Sequence, residues 1–220
     1  MNLVALADIH GRTGGLGALD DLLGWADVIL LTGDLTHFGG REQALKVLER
    51  VEEYGRPLLA VPGNCDYPEV GALLSERGVN LDGTVMQVQG ADFVGLGGSI
   101  PGPVPTPNEL SEEEIHQRLD AAAERLPGDR PAIFVSHQPP KDSVADRTTS
   151  GHHVGSISVA GFISRVHPLI CFTGHIHESS GGAWDGETLI INPGPLGAGG
   201  CASVVVEAGK VASWDLHRLG

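Results

Sequence analysis

Residues 58–66 read LLAVPGNCD, an apolar run that ends in a proline–glycine turn and then in Asn64, Cys65 and Asp66. A short apolar run bounded by turn residues predicts a buried strand, here Leu58–Val61. The polar side chains that follow it directly would lie at the carboxyl end of that strand. Open α/β sheets bind their ligands at this edge. If other strands end in the same way, their side chains meet at one site.

Four further apolar runs end in residue types that bind metals. The runs Leu3–Ala7, Val28–Leu31, Ile133–Val135 and Leu169–Phe172 are followed by Asp8-Ile9-His10, Thr32-Gly33-Asp34, Ser136-His137 and Thr173-Gly174-His175-Ile176-His177. Any one of these sequences occurs by chance, but five together at strand ends predict a metal site. The spacing of two within Asp8/His10 and within His175/His177 predicts an extended backbone that points both side chains the same way.

The remaining patterns predict the other elements of the fold. Helices are predicted at Leu16–Trp25, Arg41–Tyr54, Pro68–Arg77, Ser111–Leu126 and Ser156–Val166, and strands at Val85–Val88, Phe93–Leu96, Thr188–Ile191, Ala202–Val206 and Val211–Trp214. The last three strands are predicted to form antiparallel hairpins. Alternating strands and helices in the first half predict parallel strands. We therefore expect an α/β fold with a mixed or double sheet and outer helices, in one domain of residues 1–220.

Charge and cysteine content argue against several classes of protein. The formal net charge of −14 and the scarcity of lysine disfavour partners such as long nucleic acids or an anionic membrane surface. No apolar run reaches the roughly 20 residues that span a bilayer, and the first residues lack a basic segment and a cleavage site. Three cysteines without a CxxC pair indicate reduced thiols. The sequence thus predicts a cytoplasmic protein with a small-molecule substrate and leaves open whether it is an oligomer.

The order of the candidate ligands carries a resemblance to a known family. With Asp8-x-His10, Gly33-Asp34, Gly63-Asn64-x-Asp66, His137 and Gly174-His175-x-His177, nearly the whole chain resembles the calcineurin-like metallophosphoesterases. The resemblance implies two mixed β-sheets packed as a sandwich, flanked by helices, with two metals at the carboxyl ends of the strands. By position it assigns Asp8, His10 and His177 to the first metal. It assigns Asn64, His137 and His175 to the second, with Asp34 bridging both.

This ligand set suits phosphoester hydrolysis. Imidazole and carboxylate ligands favour first-row transition metals over Ca, and we expect two divalent ions, Mn first, with Fe, Zn, Ni or Co as alternatives. Two such ions about 3.5–4 Å apart can share a hydroxide nucleophile and clamp the attacking and leaving oxygens. Since Asn64 is neutral, two dications, two carboxylates and one hydroxide leave a formal charge of about +1 that attracts phosphate. We predict a phosphodiesterase for small or nucleotide-like diesters; the alternatives are a phosphomonoesterase and a non-catalytic scaffold.

One departure from the family concerns the residue after Asn64. The family usually has histidine there, placed to protonate the leaving group, and this chain has Cys65. A thiol is a weak donor, and nearby dications would push it toward thiolate, so Cys65 is either a poor acid, a redox-sensitive group or a spacer. The residues predicted to act in the reaction are Asp34, Asn64, Cys65 and His137.

Other polar residues near the predicted site have two interpretations. Asp66 opens an Asp-x-x-Glu helix start with an early proline, which favours a helix N-cap over a catalytic role. His37, His152 and His153 are candidates for substrate contact, with simple solvation as the alternative. Substrate specificity is expected in the loops 99–110 and 138–155.

Overall fold

Two β-sheets pack face to face, and helices cover both outer faces. The computed structural model describes residues 1–219. Within them the strands are β1 Asn2–Leu6, β2 Val28–Thr32, β3 Leu58–Val61, β4 Val85–Val88, β5 Ala91–Leu96, β6 Ala132–Ser136, β7 Ile170–Thr173, β8 Gly181–Asp185, β9 Thr188–Asn192, β10 Gly200–Glu207 and β11 Lys210–Arg218. The α-helices are α1 Asp20–Trp25, α2 Arg41–Glu52, α3 Pro68–Glu76, α4 Glu112–Ala123 and α5 Ile157–Val166, and 3₁₀ turns lie at Thr13–Leu19, His177–Ser179 and Leu196–Ala198.

Both sheets are mixed. The first has the strand order β11-β10-β1-β2-β3, in which β1, β2 and β3 are parallel and β10 runs antiparallel to both β1 and β11. The second has the order β4-β5-β6-β7-β9-β8, with β5, β6, β7 and β9 parallel and an antiparallel strand at each edge. The predicted α/β sandwich of two mixed sheets is therefore confirmed.

The alternation of side chains along each strand builds three apolar layers. In β1, Leu3 and Ala5 face the other sheet and join the central layer. Val4 and Leu6 face the opposite way and pack with helices α1, α2 and α3. On the far side of the second sheet, Phe134 packs with α4 and α5. Because the inner strands are buried on both faces, their sequences read as continuous apolar runs.

Glu112, in the first turn of α4, ties that helix to the beginning of α5. Its carboxylate accepts hydrogen bonds from the Ser156 hydroxyl at 2.7 Å and from the backbone amides of Ile157 and Ser158, each at 3.0 Å. The first amides of a helix have no partner within it, so this carboxylate satisfies donors that would otherwise need water. The contact fixes one end of the long loop that precedes α5.

Two sequence predictions differ from the structure, and one strand was not predicted. Only Asp20–Trp25 of the predicted helix Leu16–Trp25 is α-helical, because the glycines in Thr13–Leu19 favour a tighter 3₁₀ turn. Strand β9 does not form a hairpin with β10: it is buried on both faces inside the second sheet, and β10 belongs to the first. Strand β8 was not predicted, since its paired glycines resemble a turn. Gly182 is required there, as a Cβ atom would lie 2.6 Å from the ring of Trp214.

Within the described residues no helix is long and apolar enough to cross a membrane.

Candidate metal centre

The candidate ligands meet at the carboxyl edge of the two sheets. The loops after β1, β2 and β3 carry those of the first sheet, and the ends of β6 and β7 carry those of the second. The members Asp8, Asp34, Asn64 and His137 are buried, with 1, 2, 5 and 0% of their surface exposed. Burial of so many polar side chains at one edge is costly unless they have a common partner.

The predicted extended pairing of Asp8 with His10 is wrong, although the two side chains do converge. Strand β1 ends at Leu6, and both residues adopt left-handed backbone with φ of 50°. The loop is held by amide-to-carbonyl hydrogen bonds from Asp8 to Gly33 at 3.2 Å and from His10 to Asp34 at 2.8 Å. These bonds tie the loop to the one that carries Asp34, and that constraint, rather than strand periodicity, sets its course. The pairing of His175 with His177 fails likewise: His175 has φ of 67° and His177 opens a 3₁₀ turn.

One group of ligands consists of Asp8, His10 and His177, whose ligand atoms lie within 4.8 Å of one another. His177 Nε2 is 3.5 Å from Asp8 Oδ1 and 3.3 Å from His10 Nε2. His10 Nδ1 faces the carbonyl of Thr36 at 3.2 Å, so Nδ1 carries the hydrogen and Nε2 presents a lone pair. Among the described residues, Asp8 Oδ2 is the buried side-chain oxygen without a hydrogen-bond partner. A cation bound by the Asp8 carboxylate would give that oxygen a partner, so the group fits a metal.

The second group consists of Asn64, His137 and His175, and in it hydrogen-bond acceptor atoms of Asn64 and His137 face each other. His137 Nδ1 donates to the carbonyl of Thr32 at 2.8 Å, which leaves Nε2 as an acceptor. His137 Nε2 is 2.8 Å from Asn64 Oδ1, which is also an acceptor. Two lone pairs at this distance repel each other unless a proton or a cation lies at the site. The ring centroids of His137 and His175 are 5.2 Å apart. The donor set again fits a metal ion.

Asp34 lies between the two groups. Its Oδ2 is 3.8 Å from His10 Nε2, and its Oδ1 is 3.5 Å from His137 Nε2. Oδ1 also accepts a hydrogen bond from the Cys65 amide at 2.8 Å, which fixes the carboxylate. A carboxylate with one oxygen toward each group has the placement of a bridging ligand.

Ionisation favours the metal-binding forms of His175, His10 and Asp8, whereas the hydrogen bond with Asp8 raises the pKa of His177 and favours its protonated form. Burial, reinforced by the neighbouring His137, lowers the pKa of His175 to about 3, so its imidazole is neutral. Burial also lowers the pKa of His10, against the attraction of Asp34 and Asp8. For Asp8, burial raises the pKa, but the hydrogen bond from His177 and the nearby histidines outweigh it and leave the pKa below its usual range. Neutral imidazoles and ionised carboxylates are the forms that bind metals.

Two glycines make room for this crowding. A Cβ atom on Gly63 would lie 2.0 Å from Asp34 Oδ1, and one on Gly33 would lie 2.2 Å from His137 Nδ1. Gly33 also has φ of 97°, which other residues rarely adopt. Both positions therefore require glycine.

The predicted N-cap role of Asp66 is wrong. Helix α3 is preceded by Tyr67 at the N-cap position, without a side-chain capping bond. The Asp66 carboxylate is buried and accepts hydrogen bonds from the amides of Leu35, Thr36 and Gly63, and from the Thr36 hydroxyl, at 2.7–3.1 Å. It joins the loop that carries Asp34 to the loop that carries Asn64. The capping pattern in the sequence gave no sign of these partners, most of which lie in the loop after β2.

Cys65 is close to the ligands but largely covered, with 9% of its surface exposed. Its sulfur lies within 4.8 Å of a potential ligand atom of His10 and of one of Asp34. Burial first, and then the Asp34 carboxylate, raise the pKa of this thiol. The protein groups therefore act against the thiolate form that nearby cations were expected to favour.

The three histidines that the sequence predicts as substrate contacts have different surroundings. His37 is exposed and lies edge-on to His10, with 5.2 Å between ring centroids. His153 lines a cavity that also touches Asn64 and His175, whereas His152 is exposed and is not part of that lining. His153 Nδ1 is held at 2.6 Å by Asp146, a fully buried carboxylate.

Asp146 was not predicted from the sequence. Its oxygens accept hydrogen bonds from the backbone amides of Asp142, Ser143 and Gly155, each at 3.0 Å, so it organises the loop around His153. Asp142, Asp146 and His153 form a further group of potential ligand atoms. Since Asp146 is already saturated with hydrogen bonds, we assign it to loop structure.

Comparison with known proteins identifies the family and supports the fold. Residues 1–179 match the family model described as calcineurin-like phosphoesterase. The chain is 37% identical over 199 residues to the uncharacterized protein MJ1162 of Methanocaldococcus jannaschii, covering 89% of this chain and 88% of the relative. It is 24% identical to "Probable glycerophosphodiester phosphodiesterase GpdQ" of Arcobacter nitrofigilis, over 72% of this chain and 59% of that protein. The crystal structure of TT1561 of Thermus thermophilus superposes with a TM-score of 0.77 at 22% identity, over 99% of this chain and 98% of that chain.

Proposed function

The chain belongs to the calcineurin-like phosphoesterases, and from this membership we propose that it hydrolyses small phosphodiesters with two divalent metal ions. One ion is assigned to the group Asp8, His10 and His177, and the other to Asn64, His137 and His175. The observation that carries the proposal is the position of Asp34, which directs one carboxylate oxygen toward each group.

Backbone hydrogen bonds orient several of the candidate ligands for metal binding. When bound, two divalent transition-metal ions, Mn first, would offset phosphate charge and lower the pKa of a water molecule so that it attacks at neutral pH. The carbonyls of Thr32 and Thr36 hold His137 and His10 in the tautomer that presents Nε2. The Cys65 amide fixes Asp34, and the neutral amide of Asn64 leaves the centre with net positive charge for a phosphate anion.

Two features favour a diester over a monoester. A relative bears the name of a glycerophosphodiester phosphodiesterase, and this supports a diester substrate for the present chain. A diester carries one negative charge where a monoester carries up to two, and Lys141 is the one lysine or arginine among the described residues that line the adjoining cavity. The scaffold alternative is disfavoured because all seven ligand positions hold residues that bind metals.

Metal removal and replacement test this function. Protein treated with a chelator should be inactive and should regain activity with Mn²⁺ but not with Ca²⁺. With Mn²⁺, p-nitrophenyl methyl phosphate should react faster than p-nitrophenyl phosphate, which has the same leaving group. A preference for the monoester would support a phosphomonoesterase instead. Absence of hydrolysis with every metal, together with low metal content by elemental analysis, would support the scaffold.

A further inference from the structure

A cavity of about 550 Å³ opens beside the candidate ligands Asn64 and His175. Its volume lies within the range of about 300–1,000 Å³ found for small-molecule sites. Much of its lining is apolar and comes from two loops and from the residue between His175 and His177. These apolar residues are Ile100, Pro101, Pro103, Val104, Val154 and Ile176.

The charged groups of the cavity are few, and each already makes at least one hydrogen bond within the protein. Lys141 Nζ donates to the carbonyl of His153 at 2.6 Å. At the other side, Glu109 Oε1 accepts from the amide and the hydroxyl of Thr106 at 2.8 and 2.9 Å. The Ser99 hydroxyl donates to the carbonyl of Ile100 at 3.0 Å. A ligand arm rich in hydroxyl or phosphate groups would find few free partners here.

The apolar wall is exposed to solvent although it adjoins the metal centre. Val104 has 67% of its surface exposed, and the neighbouring prolines are exposed as well. Prolines restrict the backbone, so this wall is preformed and loses little freedom when a ligand covers it. An exposed apolar surface beside candidate metal ligands is expected where the substrate itself covers that surface.

We propose that this cavity binds an apolar alkyl or aryl ester group of the substrate. The inference rests on the proposed phosphodiesterase function. The phosphate lies at the end that Asn64 and His175 line, and the ester group extends over Ile100, Val104 and Val154. The substrate class is then a phosphodiester with one hydrophobic arm, rather than one whose arms are both sugars or polyphosphates.

The test compares p-nitrophenyl hexyl phosphate with p-nitrophenyl methyl phosphate, which share a leaving group and a charge. The hexyl ester should have a kcat/KM at least about ten-fold higher with Mn²⁺-loaded enzyme, because each buried methylene contributes to binding. Val104→Asp should reduce the hexyl-to-methyl ratio several-fold. Ile157→Asp is the matched control, since Ile157 is similarly exposed at 64% and does not line the cavity. It should leave the ratio unchanged.

A binding measurement separates failure of this inference from failure of the proposed function. Hexylphosphonate should bind the Mn²⁺-loaded protein at least about ten-fold more tightly than methylphosphonate in calorimetry, whether or not esters are hydrolysed. Equal kcat/KM for the two esters, or a higher value for the p-nitrophenyl ester of thymidine 5′-monophosphate than for the hexyl ester, would overturn the inference while leaving the phosphodiesterase function intact. Equal affinity of the two phosphonates would overturn it as well.

Discussion

Replacement of Gly63 by alanine tests the arrangement around Asp34 with a single methyl group. The new Cβ atom would lie 2.0 Å from Asp34 Oδ1 and 2.2 Å from the Asp34 backbone nitrogen. Ordinary contact begins at 3.4 Å, so the carboxylate oxygen must move by about 1.4 Å, the difference between 3.4 and 2.0 Å. Rotation of the side chain alone cannot relieve the clash, because the backbone nitrogen is equally close.

The displacement should affect metal binding more than folding. A misplacement of about 1 Å in a catalytic group can cost about 10²-fold in rate, and we expect a loss of that order in kcat/KM for p-nitrophenyl methyl phosphate. Overpacking of this kind lowers the free energy of unfolding by about 1–3 kcal/mol. Elemental analysis after dialysis should show less than the wild-type content of Mn, and urea denaturation should show that the variant still folds.

Gly71→Ala in α3 is the control. Its Cβ atom would have no neighbour closer than Pro62 Cγ at 4.0 Å, and alanine in a helix interior is favoured over glycine by up to about 1 kcal/mol. This variant should keep its metal and its rate. Wild-type metal content and kcat/KM in Gly63→Ala would refute the assignment of Asp34 as a shared ligand held in a crowded position.

Substitutions at three other positions test separate parts of the structure. Asp34→Asn should lose bound metal and nearly all turnover, as measured by elemental analysis and kinetics, and normal occupancy would contradict the bridging role. Cys65→Ala should retain metal and most activity on an aryl diester, and Cys65→His should selectively improve an alkyl diester; a metal-free Cys65→Ala would instead show that sulfur is a ligand. Burial raises the pKa of Glu112, but hydrogen bonds from Ser158 and Ser156 outweigh burial and leave the pKa below its usual range. The ionised carboxylate therefore stabilises the fold above about pH 4.3, and this contribution is lost as the pH falls through the pKa of the folded state. Glu112→Gln should therefore lower the free energy of unfolding by about 0.5–1 kcal/mol at pH 7, and this effect should shrink steadily as the pH falls below about 4.3, whereas an effect that does not change with pH would contradict the reasoning.

Most of the strands and the candidate ligands were accessible from the sequence because the strands are apolar runs and each ligand closely follows one of them. Leu58–Val61 and the turn that carries Asn64 need only local information. The roles of Asp66 and Asp146 were not accessible: their partners come from other loops, or from backbone amides that no motif marks. Strand β8 escaped prediction for a related reason, since Gly182 is required by Trp214, a residue of the other sheet.

The two candidate metal-binding groups draw their members from both sheets. Asp8, His10, Asp34 and Asn64 follow strands of the first sheet, whereas His137, His175 and His177 follow strands of the second. Neither sheet alone contains a complete ligand set, so cations bound at this edge would cross-link the two sheets. Ligands that bind only the native state stabilise it by about 2.7 kcal/mol at a hundred times their Kd. Bound metal would thus add to the apolar packing that holds the two sheets together, and a small shift of one sheet against the other would separate the ligands without unfolding either sheet.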